Sequence, residues 1–221
     1  MKEKTLFGLS LLVLLMLTLV ACGDATNIVP AAGATPGHDM SSMKPGETMG
    51  AGSISNTTDP MTESLKGLTG KEFEVSFMQD MVAHHQSAID MAKLVPTNTK
   101  RAELIKLGQD IVSAQTKEIS DMTGWLTSWH KVKPLADGMS APGMMQMMGD
   151  MDKLKTARDG DFDKQFLKMM IEHHQQAVNM ANLIPAKTQR AELLKLGQDI
   201  IKAQTGEIAQ MQGWQKAWFN L

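Results

Sequence analysis

The chain has one cysteine among its 221 residues. A single thiol closes no bridge within the molecule, so the fold has no disulfide framework and must rest on buried apolar surface. An excess of charge of one sign is also missing, because 22 Lys and Arg stand against 24 Asp and Glu, for a formal net charge of -2 and a pI near 6.3. With no basic surplus, and no Lys/Arg cluster interleaved with aromatics, nucleic acid is not an expected partner. Nor does the sequence hold an apolar run long enough for a membrane span. The nearest, Leu6 to Val20, follows a charged start at Lys2, Glu3 and Lys4, and it falls short of the roughly 20 residues that a spanning helix needs. It leads directly into small residues and Cys22, which reads as an export signal over residues 1–21.

The segment Leu19-Val20-Ala21-Cys22 resembles a bacterial lipobox. That resemblance implies Cys22 as the lipidated first residue of the mature protein, anchored in the cell envelope and facing the periplasm or the cell exterior. Residues 22–60 then hold hardly any large apolar side chains and are rich in Gly, Ala, Ser, Thr and Pro. Such a stretch cannot bury a core and is expected to be a flexible tether. His38, Met40 and Met43 within it are either incidental or a scavenging site for metal.

What the chain has in abundance is methionine, 20 residues, and internal repetition. Phe77, Met81, His84, His85, Gln86, Met91 and Pro96 recur 89 positions later as Phe166, Met170, His173, His174, Gln175, Met180 and Pro185. Residues 73–129 laid on 162–218 without a gap match at 31 of 57 positions, so two copies of one supersecondary unit are expected. Four of the six histidines fall in the repeated motif.

Each copy reads as a helical hairpin. Thr69 and Glu72 have the spacing of a capping box. Phe77, Met81, His84, Ala88, Met91 and Val95 then follow a 4-3-4-3-4 spacing, which makes one stripe of a helix. Pro96 is expected to end that helix, with a second running from about Thr99 to His130. The copy predicts helices from about Asp161 to Ile184 and from Thr188 to Phe219. Residues 61–221 are thus expected to form an all-α domain: a four-helix bundle built from two duplicated hairpins. A Met-rich connector, Met144 to Arg158, is expected to lie over it as a short helix or turn.

His84 and His173 sit at the midpoints of their helices, so they are expected to meet at mid-height whether the hairpins run parallel or are related by a perpendicular two-fold. Met81 and Met170 lie about 4.5 Å along the axis from them on the same face, whereas Met91 and Met180 lie about 10 Å away and are expected to be core. His85 and His174, turned by about 100°, are expected at the bundle edge. Thioether sulfur with imidazole is a donor set for soft ions, Cu(I) above all outside the cytoplasm. A bland alternative is a polar core layer in which neighbouring Gln or Asp satisfies the imidazoles. A second is a ferritin-like carboxylate site for iron or manganese, with Glu118 and Glu207 as its acids. A fold at residues 96–98 argues against it by setting Asp110 opposite His84 and Glu118 nearer Phe77. A third is an interaction protein without metal.

The pattern Phe162, Phe166, Met170, His173, His174, Ala177, Met180 and Ala181, followed by Leu196, Ile200, Gln204, Glu207, Met211 and Trp214, resembles the domain of unknown function 305 family. The first copy carries the same pattern from Phe73 to Trp125. The resemblance implies a ferritin-like helical bundle, similar to periplasmic copper-binding proteins. It also implies metal ligands among Met81, His84, His85, Met170, His173 and His174, with Met169 extending the second copy where Asp80 stands in the first. The expectation is an exported, lipid-anchored binder of copper, as Cu(I), for buffering, tolerance or delivery, and not an enzyme.

Overall fold

A computed structural model describes residues 59–135 and 144–221, with side chains from residue 150 onward in the second stretch. Residues 1–21, Cys22, and His38, Met40 and Met43 of the expected tether lie outside the described residues. Every regular element among the described residues is helical, as expected. A short α1 (Pro60–Lys66) precedes the first hairpin, α2 (Gly70–Asn98) and α3 (Ala102–Trp125), and α3 runs on as one π turn, Leu126–His130. The connector forms α4 (Met144–Thr156), and the second hairpin is α5 (Asp159–Ala181), a single turn α6 (Ile184–Lys187), and α7 (Ala191–Phe219).

Two local expectations fail for identifiable reasons. Thr69 is the N-cap of α2, but its side chain makes no capping bond. The next residue, Gly70, sits at φ 54, a left-handed entry at odds with the helical first position that a capping box needs. Pro96 does not end α2, which continues to Asn98. Proline removes one amide, so the Ala92 carbonyl loses its usual partner four residues on, yet the Thr99 amide still closes on the Val95 oxygen at 3.2 Å. In the second copy the helix does break, after Ala181, and Pro185 opens α6.

Glycines set the spacing within both hairpins. A Cβ on Gly108 of α3 would lie 3.2 Å from the Ala92 oxygen and 3.3 Å from Val95, and one on Gly197 of α7 would lie 2.6 Å from Cδ1 of Ile184. At Gly108 the tight neighbours include backbone, whereas at Gly197 the clash is with the far end of a side chain that can turn. At the two tips, the hydroxyls of Thr99 and Thr188 accept the amides of Arg101 and Arg190 at 3.1 Å each, which starts α3 and α7 at equivalent residues.

The hairpins meet along α2 and α5, with α1 and α4 packed on this pair. Arg101, at the tip of the first hairpin, donates from Nε to Asp163 at 2.8 Å and lies 4.1 Å over the Trp218 ring at the open end of the second. Arg190 does the reverse, donating to Glu74 at 3.0 Å and lying 4.2 Å over Trp129. Tip meets open end in both cases, so the copies are related by a two-fold perpendicular to the helices. Fully buried side chains form two apolar clusters. One holds Phe73, Phe77, Met81, Met122, Met180 and Ile184, the other Met91, Val95, Ile111, Phe162, Phe166 and Met170. Burying each large side chain contributes about 1.5–3 kcal/mol. None of the four motif histidines belongs to either cluster.

Candidate metal centre

His84 and His173 face each other at the centre of the α2–α5 contact, their ring centroids 3.6 Å apart at 36°. Both are buried, as their mid-helix positions require once the hairpins are antiparallel. The His173 Nε2 lies 2.9 Å from the His84 carbonyl and 2.8 Å from the Ser87 hydroxyl, while the His84 Nε2 lies 3.4 Å from Oε1 of Gln176. Ser87 and Gln176 occupy equivalent positions of the two copies, so each helix supplies the partner for the other's histidine. Burial, followed by the neighbouring imidazoles, pushes both His84 and His173 well below the ordinary histidine range. Both rings are therefore neutral.

His85 and His174 are not at the edge of the bundle; both side chains are 0% exposed. The His85 Nε2 lies 2.6 Å from Glu118 Oε2, and the His174 Nε2 lies 2.7 Å from Glu207 Oε2. Residues one step apart on a helix point about 100° apart. Since α2 is flanked by α5 on one side and α3 on another, both directions are interior, and the same holds for α5 between α2 and α7. The expected hairpin register, with Asp110 opposite His84 and Glu118 near Phe77, is also wrong. Both copies turn back around the arginine at the tip, Arg101 in the first and Arg190 in the second, instead of around residue 97, which carries Glu118 to His85 and Glu207 to His174 and leaves Asp110 outside, paired with Lys106 at 2.7 Å.

These partners assign the protons. A carboxylate or amide oxygen, or a backbone carbonyl, accepts, so the ring nitrogen facing it carries the hydrogen. In His85, His173 and His174 that nitrogen is Nε2, the Nε2 of His84 faces the Gln176 amide, and in all four the buried Nδ1 has no partner. Each of the four imidazoles thus holds an uncommitted ring nitrogen in the interior, a condition that costs about 1–3 kcal/mol for each buried polar atom left unsatisfied. Met81 and Met170, one helical turn before His84 and His173, are fully buried as well. Neutral nitrogen and thioether sulfur, with no anionic ligand among them, fit a soft monovalent ion.

Other residues singled out from the sequence are distributed differently. Met91 and Met180 are buried in the apolar clusters, as expected of core. Met169 lines an open groove between α4 and α5, of about 690 Å³, with Lys153, Arg158 and Glu172. Asp80, its counterpart, is buried against Ser64 of α1, and burial pushes its carboxyl up to about 6 despite the Ser64 hydrogen bond. Among the described residues, no group of three or more His, Cys, Asp or Glu is arranged to hold a metal ion. Glu118 and Glu207 each face a histidine Nε2 instead of a shared ion. Their significance, and that of Ser87 and Gln176, lay beyond the sequence reading, although one signal was present: Glu118 and Glu207 follow their histidines by 33 positions in both copies.

A family model described as a domain of unknown function, DUF305, matches the chain over residues 29–126 and 74–215. The chain belongs to the DUF305 family. Solved structures resemble it over most of their own length. CopM in its Cu(I)-bound form is 38% identical, with 66% of this chain and 97% of that chain covered at a TM-score of 0.57. CopM has also been solved with Cu(II) and with silver bound. A DUF305 fragment from Deinococcus radiodurans is 30% identical over 66% of this chain and 96% of its own, at a TM-score of 0.57. A DUF305 protein from Streptomyces coelicolor, named as a candidate secreted protein, is 29% identical over 62% and 89%, at 0.55. No curated protein sequence matches the chain. None of the described helices is long and apolar enough to cross a membrane.

Proposed function

We propose that this protein is an exported, lipid-anchored copper-binding protein that takes up Cu(I) at the interface of its two hairpins, for buffering, tolerance or delivery. One observation carries the reading: the four buried, unpartnered Nδ1 atoms of His84, His85, His173 and His174, with Met81 and Met170 one turn away. Such donors are costly in an apolar interior and are relieved by an ion that accepts nitrogen and sulfur. The likeness to CopM, a protein solved with Cu(I), Cu(II) and silver, supports the choice of metal. Met81, His84, His85, Met170, His173 and His174 are the ligand candidates, and copper is cargo here, so the activity proposed is binding without catalysis. Cys22 is the proposed lipid attachment, which places the domain on a membrane surface outside the cytoplasm.

Anaerobic Cu(I) titration against a chromophoric competitor tests the reading, comparing the full domain with a variant in which His84, His85, His173 and His174 are all replaced by Ala. Loss of tight binding in a variant that keeps its helical circular dichroism is the expected result. Equal binding by both proteins overturns the site. A ferritin-like site for iron or manganese would instead be indicated by either metal in the native protein together with oxygen consumption. For the anchor, Cys22→Ala should abolish incorporation of labelled fatty acid.

A further inference from the structure

The four histidines fall into two kinds. His84 and His173 are held at Nε2 by neutral groups, the Gln176 amide, the Ser87 hydroxyl and a backbone carbonyl. His85 and His174 are held at Nε2 by carboxylates, at 2.6 and 2.7 Å. The distinction is the same in both copies, although Ser87 and Gln176 differ from each other. The two carboxylates also keep contact with solvent, their side chains being 18% and 23% exposed while the imidazoles they touch are closed off entirely. Each negative charge therefore stays partly hydrated and avoids most of the cost of full burial, while its hydrogen bond reaches into the dry interior.

We propose that Glu118 and Glu207 are positioning residues for the metal site, each fixing its histidine as the Nε2–H tautomer and so leaving Nδ1 as the donor. The inference rests on the copper reading above and adds to it the residues that prepare the ligands. A free imidazole divides between two tautomers, and in the wrong one Nδ1 carries a proton and cannot ligate. The carboxylate removes that alternative before the ion arrives. It also makes the ring a stronger donor, since a hydrogen-bonded anion behind an imidazole raises its basicity; loss of such a partner costs about 10–100-fold in metal affinity. His85 and His174 are on this account stronger donors than His84 and His173. The glutamates touch no ion themselves.

Two graded variants separate the effects. Glu118→Gln keeps an oxygen for the Nε2 hydrogen but removes the charge, and Glu118→Leu removes both. In the metal-free protein labelled with ¹⁵N-histidine, long-range proton–nitrogen correlations report which nitrogen of each ring is protonated. Wild type should show His85 and His174 as Nε2–H. Glu118→Leu should turn His85 alone to a tautomer mixture, leaving His174 unchanged, and Glu207→Leu should do the converse. Anaerobic Cu(I) competition should show affinity reduced about 10–100-fold in the Leu variants and less in the Gln variants. An unchanged His85 tautomer in Glu118→Leu, or a changed tautomer with unchanged Cu(I) affinity, overturns the proposal. Should Glu118→Leu fail to fold, Glu118→Gln with wild-type affinity overturns the charge effect by itself. Wild type that binds no Cu(I) overturns the copper reading, while the tautomer spectra still report whether the carboxylates hold the rings.

Discussion

The two hairpins are copies that differ mainly at their margins. Both keep the inward histidines, the carboxylate behind the second histidine, the Arg at the tip and the stacked Trp pair, with ring centroids 5.0 Å apart for Trp125 and Trp129 and 5.1 Å for Trp214 and Trp218. They diverge where each meets something its copy does not. Asp80 meets α1, and Met169 meets the groove beside α4. The first hairpin carries Pro96 inside one continuous helix, whereas the second breaks before Pro185. Equivalent acids also differ: Glu74 accepts hydrogen bonds from Thr188 and Arg190 and contacts His130 at 2.9 Å, while Asp163 has Arg101 on one oxygen and nothing on the other. The shared part builds the centre, and the unshared part adapts each half to its cover.

Tests of this comparison begin with the core, where the largest effect is expected. Phe77→Ala and Phe166→Ala remove equivalent, fully buried rings and should each cost about 3–5 kcal/mol in urea unfolding. Similar losses would make the halves energetically equal; a loss at one less than half of the other would break the equivalence.

The hairpin latches come next and should be unequal. Glu74→Ala strips partners from Thr188, Arg190 and His130 and should cost about 3 kcal/mol, against about 1.5 kcal/mol for Asp163→Ala. Acid sharpens the contrast. Burial pushes the Glu74 carboxyl up, but Thr188, Arg190 and His130 more than reverse this and hold it below its ordinary 4.5. A carboxyl lowered in the folded state contributes stability that is complete above its unfolded value and is lost as pH falls through its folded one. The stability gap between wild type and Glu74→Gln should therefore be constant above pH 4.5 and shrink below it; a gap that widens in acid would contradict the assignment.

Smallest are the tight glycines. An Ala at Gly108 meets the Ala92 carbonyl and the Val95 Cβ, neither of which can rotate away, whereas at Gly197 the clash is with the far end of the Ile184 side chain. Gly108→Ala should lower stability by about 1 kcal/mol or more. Gly197→Ala should be near neutral, because Ala gains roughly 1 kcal/mol of helix propensity over Gly and Ile184 can turn. Thermal melts of the two variants check the order, and the reverse order would mean that the helix break before Pro185 has made α6 the more rigid wall.

Much of the fold was legible because it depends on spacing. The 4-3 rhythm from Phe77 to Val95 and its repeat specify helices, and the identity between copies specifies two like hairpins. The meeting of His84 with His173 follows from their midpoint positions. Pro96 misled because a proline is costly inside a helix but does not mark the turn: each hairpin turns back at its tip arginine, about four residues later than expected, and that moved the register by more than two turns. That one shift hid the His85–Glu118 pair. His85 and His174 were misplaced for another reason: a single stripe defines one buried face, and a helix flanked on two sides has two.

The sequence by itself determined the helices, the duplication, the soft donor set of histidine and methionine, and the membership in DUF305, all of which are local or periodic properties of the chain. Only the tertiary structure decided that the hairpins run antiparallel, that all four histidines are enclosed, and that every Nε2 is taken while every Nδ1 is free. Those facts depend on which side chains from distant segments share a layer. Register and the choice between two ring nitrogens are settled by partners 33 to 92 residues away, where the pattern along any one helix is silent.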